Sequence, residues 1–142
     1  LFIGGADIFI NPSYMFSLQG HWIQANLSRS LDFYMPVVGV DMASIRLETK
    51  RYTYTGGGLS HVIIPPSNLR EVEEWWSGGA VSTEGWVRLK LGLGEEIAYF
   101  DIDVEAVNAL RRDWWRRMRG VELDDWIAEA RSKFRAAKLV RA

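Results

Sequence analysis

Apolar side chains follow two different spacings along this chain, and the change falls near Asp103. Before it, short runs alternate apolar and polar positions as strands do. Asp7–Ile10 reads as a short strand. Ile45, Leu47 and Thr49 alternate with Arg46, Glu48, Lys50, Tyr52 and Tyr54, which predicts one strand over Ser44–Thr55. Leu59–Ile64 predicts another, stopped by Pro65-Pro66. From Trp86 to Leu93, Val87, Leu89 and Leu91 point one way and Arg88 and Lys90 the other. Gly94-Glu95 then reads as a turn, with Glu96–Ile102 as the hairpin partner. The segment His21–Met35 fits both periods. Ile23, Leu27, Leu31 and Tyr34 recur at helical spacing, yet Ile23/Ala25/Leu27 and Leu31/Phe33/Met35 alternate around Ser28-Arg29-Ser30. Its aromatic and β-branched character favours strands.

After Asp103 the spacing is helical. Asp103 is placed to cap a helix over 104–119 whose Val107, Leu110, Trp114 and Met118 share a face, with Gly120 as its stop. A last helix over 124–140 carries Asp124 at its positive end and an apolar stripe of Ile127, Ala130, Phe134 and Ala137. Asn68 and Glu71 form a capping box for a short helix over 68–77 ended by Gly78-Gly79. The order predicts an α+β fold. Its sheet is mostly antiparallel, and the short helix and the two C-terminal helices pack on it. A single domain spans residues 1–142. The chain has the character of either a whole domain or a piece of a longer protein, whose last helix continues into an oligomerisation segment.

Composition narrows the class without choosing a function. Hydrophobic residues make up 48% and charged residues 25% of the chain, which is ordinary for a folded domain. No apolar run approaches the roughly 20 residues of a membrane span. The absence of cysteine excludes disulfides, thiol catalysis and Cys-based zinc sites. Basic residues are mostly arginine, thirteen against Lys50, Lys90, Lys133 and Lys138, a bias that fits a thermophile. The net charge of -1 is unevenly spread: residues 1–103 sum to -5 and residues 104–142 to +4. Such asymmetry can mark a site for an anionic partner.

Seven tryptophans and the arginines supply the candidate chemistry. Trp115 is turned off the apolar face of its helix, beside Arg112, Arg116 and Arg119, where an indole can stack on a base while guanidinium groups hold phosphate. Trp75 and Trp76 are adjacent, so one of them faces away from the core. Tyr52 and Tyr54 share a strand face with Arg46 and Lys50, and Arg131, Arg135 and Lys138 form a basic stripe. The expected function is therefore a non-enzymatic binder of single-stranded DNA or RNA with low sequence specificity. Trp75, Trp76, Trp115, Tyr52 and Tyr54 are its stacking platforms, and Lys50, Arg112, Arg116, Arg119 and Arg131 its phosphate contacts. The same residue types also anchor protein interfaces, so a homo-oligomeric assembly subunit, viral or other, is the alternative. A carbohydrate-binding module comes third. The plainer reading of Trp115 is a core indole with arginine stems lying over it. Asp101 and Asp103 would suit Mg²⁺, but capping accounts for Asp103 without one, and no cofactor is expected. Gly56-Gly57-Gly58 lacks the Lys-Ser/Thr of a phosphate loop, and His61 has no carboxylate partner legible in the sequence. The expected location is the cytoplasm, or a virion for a viral subunit.

Overall fold

Phe9–Ser13 (β1) enters the helix Gln19–Phe33 (α1), which returns the chain to Val37–Asp41 (β2). Ile45–Glu48 (β3), Thr53–Gly56 (β4) and His61–Ile63 (β5) follow. A 3₁₀ turn at Thr83–Trp86 then leads into Val87–Lys90 (β6). Val104–Arg119 (α2) and Leu123–Leu139 (α3) complete the chain. This computed structural model describes residues 5–13, 19–43, 45–51, 53–66 and 83–139, and the expected helix over 68–77 lies outside them. The fold is α+β. A mixed four-stranded sheet has the order β1-β2-β5-β6, and β3 and β4 pair separately. β1 runs parallel to β2, while β5 is antiparallel to both β2 and β6.

The segment expected to favour strands is α1. Two parallel neighbours cannot be joined by a tight turn, and a helical crossover meets that need. The buried side of α1 combines the row Ile23, Leu27, Leu31 with the row Trp22, Asn26, Ser30. Asn26 and Ser30 are polar, so the second row does not register as a hydrophobic stripe. Tyr34 ends the helix in the left-handed region at φ 47. Around it the amide of Met35 donates to the Ser30 carbonyl at 3.1 Å and that of Tyr34 to the Leu31 carbonyl at 3.3 Å. Both bonds follow the pattern that closes helices ahead of a left-handed residue. The strain is held by the buried Tyr34 ring, which stacks on Trp114 at 5.7 Å and whose hydroxyl donates to the Pro66 carbonyl.

Two more expectations change. Ser44–Thr55 does not run as one strand. It folds back as the β3–β4 hairpin, with Ile45 opposite Gly56 and Glu48 opposite Thr53. After Glu48 the amide of Arg51 donates to the Thr49 hydroxyl at 3.4 Å. Glu96–Ile102 does not pair with β6. β6 instead pairs with β5, where Val62 faces Leu89, and residues 91–103 run irregularly along the sheet. The helix pair follows its sequence signals closely. The Asp103 carboxylate accepts from the amide of Ala106 at 2.9 Å, and Gly120 closes α2 at φ 65. α3 begins at Leu123, one residue earlier than expected, and Asp124 and Asp125 occupy its first turn.

Among the described residues two clusters form the core. Leu27, Leu31, Val37, Ile63 and Trp86 join α1 to one face of the sheet. Tyr34, Met35, Trp114, Trp115 and Leu123 join α2 and α3 to the sheet's end, with Phe9 touching both clusters. Arg111, nearly buried, ties α2 to the start of β1. It donates to the Ala6 carbonyl and the Asp7 carboxylate, each at 3.2 Å.

Candidate interaction surface

Alternation along the strands sorts the sheet residues onto two faces. On the α1 face, Phe9, Val37, Ile63 and Val87 lie in one row across the four strands. The next row on that face is Asn11, Gly39, His61 and Lys90. Here Asn11 Nδ2 donates to Asn26 Oδ1 at 2.9 Å, and Asn26 Nδ2 donates to His61 Nε2 at 3.0 Å. His61 Nδ1 donates in turn to the Leu59 carbonyl at 2.8 Å. The ring is 1% exposed and meets Trp22 edge-on with centroids 4.8 Å apart. Burial lowers the pKa of His61, opposed by the Leu59 hydrogen bond and reinforced by the Lys90 charge. The imidazole is thus held neutral, with both nitrogens occupied inside the protein. That arrangement stiffens a core and leaves no lone pair for catalysis.

The opposite face carries the row Ile10, Val38, Val62 and Leu89. Among the described residues no helix forms a core cluster with it. Its cover is the irregular segment after β6. Val38, Val40, Val62 and Leu89 from the sheet, with Ile97 and Phe100 from that segment, line an open cavity of about 420 Å³. The surrounding side chains stay in water: Ile97 is 87% and Tyr99 94% exposed, and Ile10, Val40 and Phe100 are exposed as well. The segment is acidic. Residues 93–103 contain Glu95, Glu96, Asp101 and Asp103 and no basic residue. Glu96 bends back to accept from the amide of Gly92 at 3.1 Å.

The residues expected from sequence to bind nucleic acid are placed differently from one another. Trp115 is 5% exposed and belongs to the core. Its ring lies 4.9 Å from that of Trp126, and the Arg119 guanidinium covers Trp114 and Trp115 at 5.8 and 5.5 Å. The 100° rotation from Trp114 turns it toward α3 rather than toward solvent, so the expected stacking platform is corrected to a core indole. Arg112 and Arg116 are exposed but paired. Arg112 lies 3.4 Å from Asp124, and Arg116 makes two bonds to Glu122, at 2.7 and 3.2 Å. That bidentate contact raises the Arg116 pKa and lowers that of Glu122. Arg117 pairs with Asp113 at 3.1 Å. Arg131 is exposed on α3, close to Gly5, and Lys50 is exposed in the β3–β4 turn. Trp75, Trp76 and Tyr52 lie outside the described residues, as does the side chain of Tyr54. The structure therefore brings Trp115, Arg112, Arg116 and Arg119 together on α2, with the indole inside and the arginines outside.

No family model, curated protein or solved structure matches this chain. Among the described residues no group of three potential metal ligands occurs, and no helix is long and apolar enough to cross a membrane. Sequence reasoning missed Ile10, Val40, Ile97, Tyr99 and Phe100 as a surface. The available signal was the stretch Leu93–Asp103, apolar and acidic without a single basic residue, which pairing as a hairpin would have hidden.

Proposed function

We propose that this protein is an assembly subunit that buries the open face of its sheet against another copy. The observation that carries the reading is the exposed apolar set Ile10, Val40, Ile97, Tyr99 and Phe100 beside the half-buried Val38 and Leu89. Contiguous apolar surface rimmed by charge is characteristic of protein interfaces. Fully burying a side chain such as Ile97 contributes about 1.5–3 kcal/mol, so the whole exposed set has to be buried to offset the cost of association and reach micromolar affinity. The competing reading, a single-strand binder, finds less support. Its central indole is enclosed, and phosphate would have to displace carboxylates already bound to Arg112 and Arg116.

Sedimentation velocity across a micromolar concentration series tests the proposal, run on the wild type and on Ile97→Lys/Tyr99→Lys. Both side chains are exposed, so this variant keeps its fold. The wild type is expected to assemble with rising concentration, and the variant to remain a monomer. A wild type that stays monomeric throughout would overturn the reading. Salt-reversible quenching of tryptophan fluorescence by a single-stranded oligonucleotide would put nucleic-acid binding in its place.

A further inference from the structure

Resting on that assembly reading, we infer that the element seated on the open face is the outer half of α3 from a second copy. α3 packs on the core through its first turns. Leu123, Trp126 and Ile127 pack on the core, whereas residues 131–135 are all exposed and Phe134 is 61% exposed. Phe134 continues the stripe of Ile127 and Ala130 at helical spacing, past the point where this copy's own core ends. Over residues 131–135 the apolar side of the helix, at Phe134, therefore faces solvent.

Charge selects between possible occupants. The segment that walls the cavity, residues 93–103, carries four acidic side chains and no basic one. Residues 131–139 carry Arg131, Lys133, Arg135 and Lys138 and no acidic one. Part of each charge is engaged locally: Lys133 lies 2.6 Å from Glu129, and Asp103 caps α2. The exposed charges beside the two apolar residues are complementary in sign, with Arg135 next to Phe134 and Glu95 and Glu96 next to Ile97. A cavity of about 420 Å³ lined by Val40, Leu89 and Phe100 has room for the Phe134 ring. This is a helix laid in an apolar groove with charge fixing its register. Groove and helix are different surfaces of the same chain, so the contact either closes as a two-fold pair, each helix in the other's groove, or repeats head-to-tail into a ring or a filament.

Two charge-reversed variants of the full chain test this. Glu95→Lys/Glu96→Lys alters the groove, and Lys133→Glu/Arg135→Glu alters the helix on both sides of Phe134. All four residues are exposed, and circular dichroism and melting temperature check that each variant is folded. Each variant alone is expected to associate at least about tenfold more weakly than the wild type in sedimentation. An equimolar mixture should recover assembly, because each groove then meets a helix of opposite charge. Phe134→Ser, in the wild-type background, should also weaken assembly. If the helix variants and Phe134→Ser assemble like the wild type while Ile97→Lys/Tyr99→Lys does not, the face is an interface but α3 is not its occupant. A mixture that fails to recover assembly overturns the inference too. A wild type that never assembles removes the underlying reading along with it.

Discussion

Gly39 shows how one residue can be fixed by its neighbours. A Cβ there would lie 2.6 Å from two atoms of the His61 ring and 2.9 Å from Asn26 Nδ2. Those atoms are held by the Asn11–Asn26–His61 chain and cannot retreat without breaking it. Gly39→Ala is therefore expected to destabilise the protein by about 1–3 kcal/mol, measured by urea unfolding. His61 makes a second prediction, about pH. Its folded pKa lies below the ordinary 6.5 because the ring is buried. Between that depressed value and 6.5 the unfolded chain binds a proton that the folded protein does not. Stability from this group is thus complete above about pH 6.5 and is lost as pH falls below it, at up to about 1.4 kcal/mol per pH unit. The difference in stability between wild type and His61→Gln, followed from pH 8 to pH 5, isolates this from the carboxylates. A difference that does not change with pH would mean that folding leaves the imidazole pKa where it lies in the unfolded chain.

At the scale of elements, α2 and α3 were legible because start, stop and stripe all agree. Asp103, Gly120 and the positions of Val107, Leu110, Trp114 and Met118 point to one helix, and the structure places it at Val104–Arg119. α1 was obscured because a third of its buried side is Asn26 and Ser30, whose worth lies in hydrogen bonds that periodicity does not register. Glu96–Ile102 misled for the opposite reason: its alternation is good, but β5 already occupies the inner edge of β6. Of the candidate site, the clustering of arginines around Trp115 was legible and its inside-out arrangement was not. One residue of rotation separates a solvent-facing indole from one facing a second helix, and only the position of α3 decides. Trp115→Ala accordingly tests packing. It should cost about 3–5 kcal/mol in unfolding experiments, the range for emptying a large core site. A cost below 1 kcal/mol, with the fold retained, would place the indole outside the core.

For the whole molecule, the split of charge between residues 1–103, at -5, and residues 104–142, at +4, is the feature that reaches furthest. Within one copy much of the basic half is neutralised locally, by Asp124 on Arg112, Glu122 on Arg116 and Asp113 on Arg117. These pairs cluster where α2 meets α3 and leave the far end of α3 basic. In the acidic half, Glu95 and Glu96 are exposed on the segment that walls the apolar cavity. Copies approaching helix to groove therefore attract over roughly a Debye length, about 10 Å at 0.1 M salt, before any apolar contact forms. Raising salt to about 1 M shrinks that distance to about 3 Å and removes the long-range attraction, while the buried apolar contact persists. The expected result is an association rate that falls several-fold with salt and a dissociation rate that changes much less. Stopped-flow light scattering after dilution and after mixing reads the two rates separately. If association instead quickens steadily with salt, apolar burial alone drives the contact, and the charge on α3 plays no part in choosing its partner.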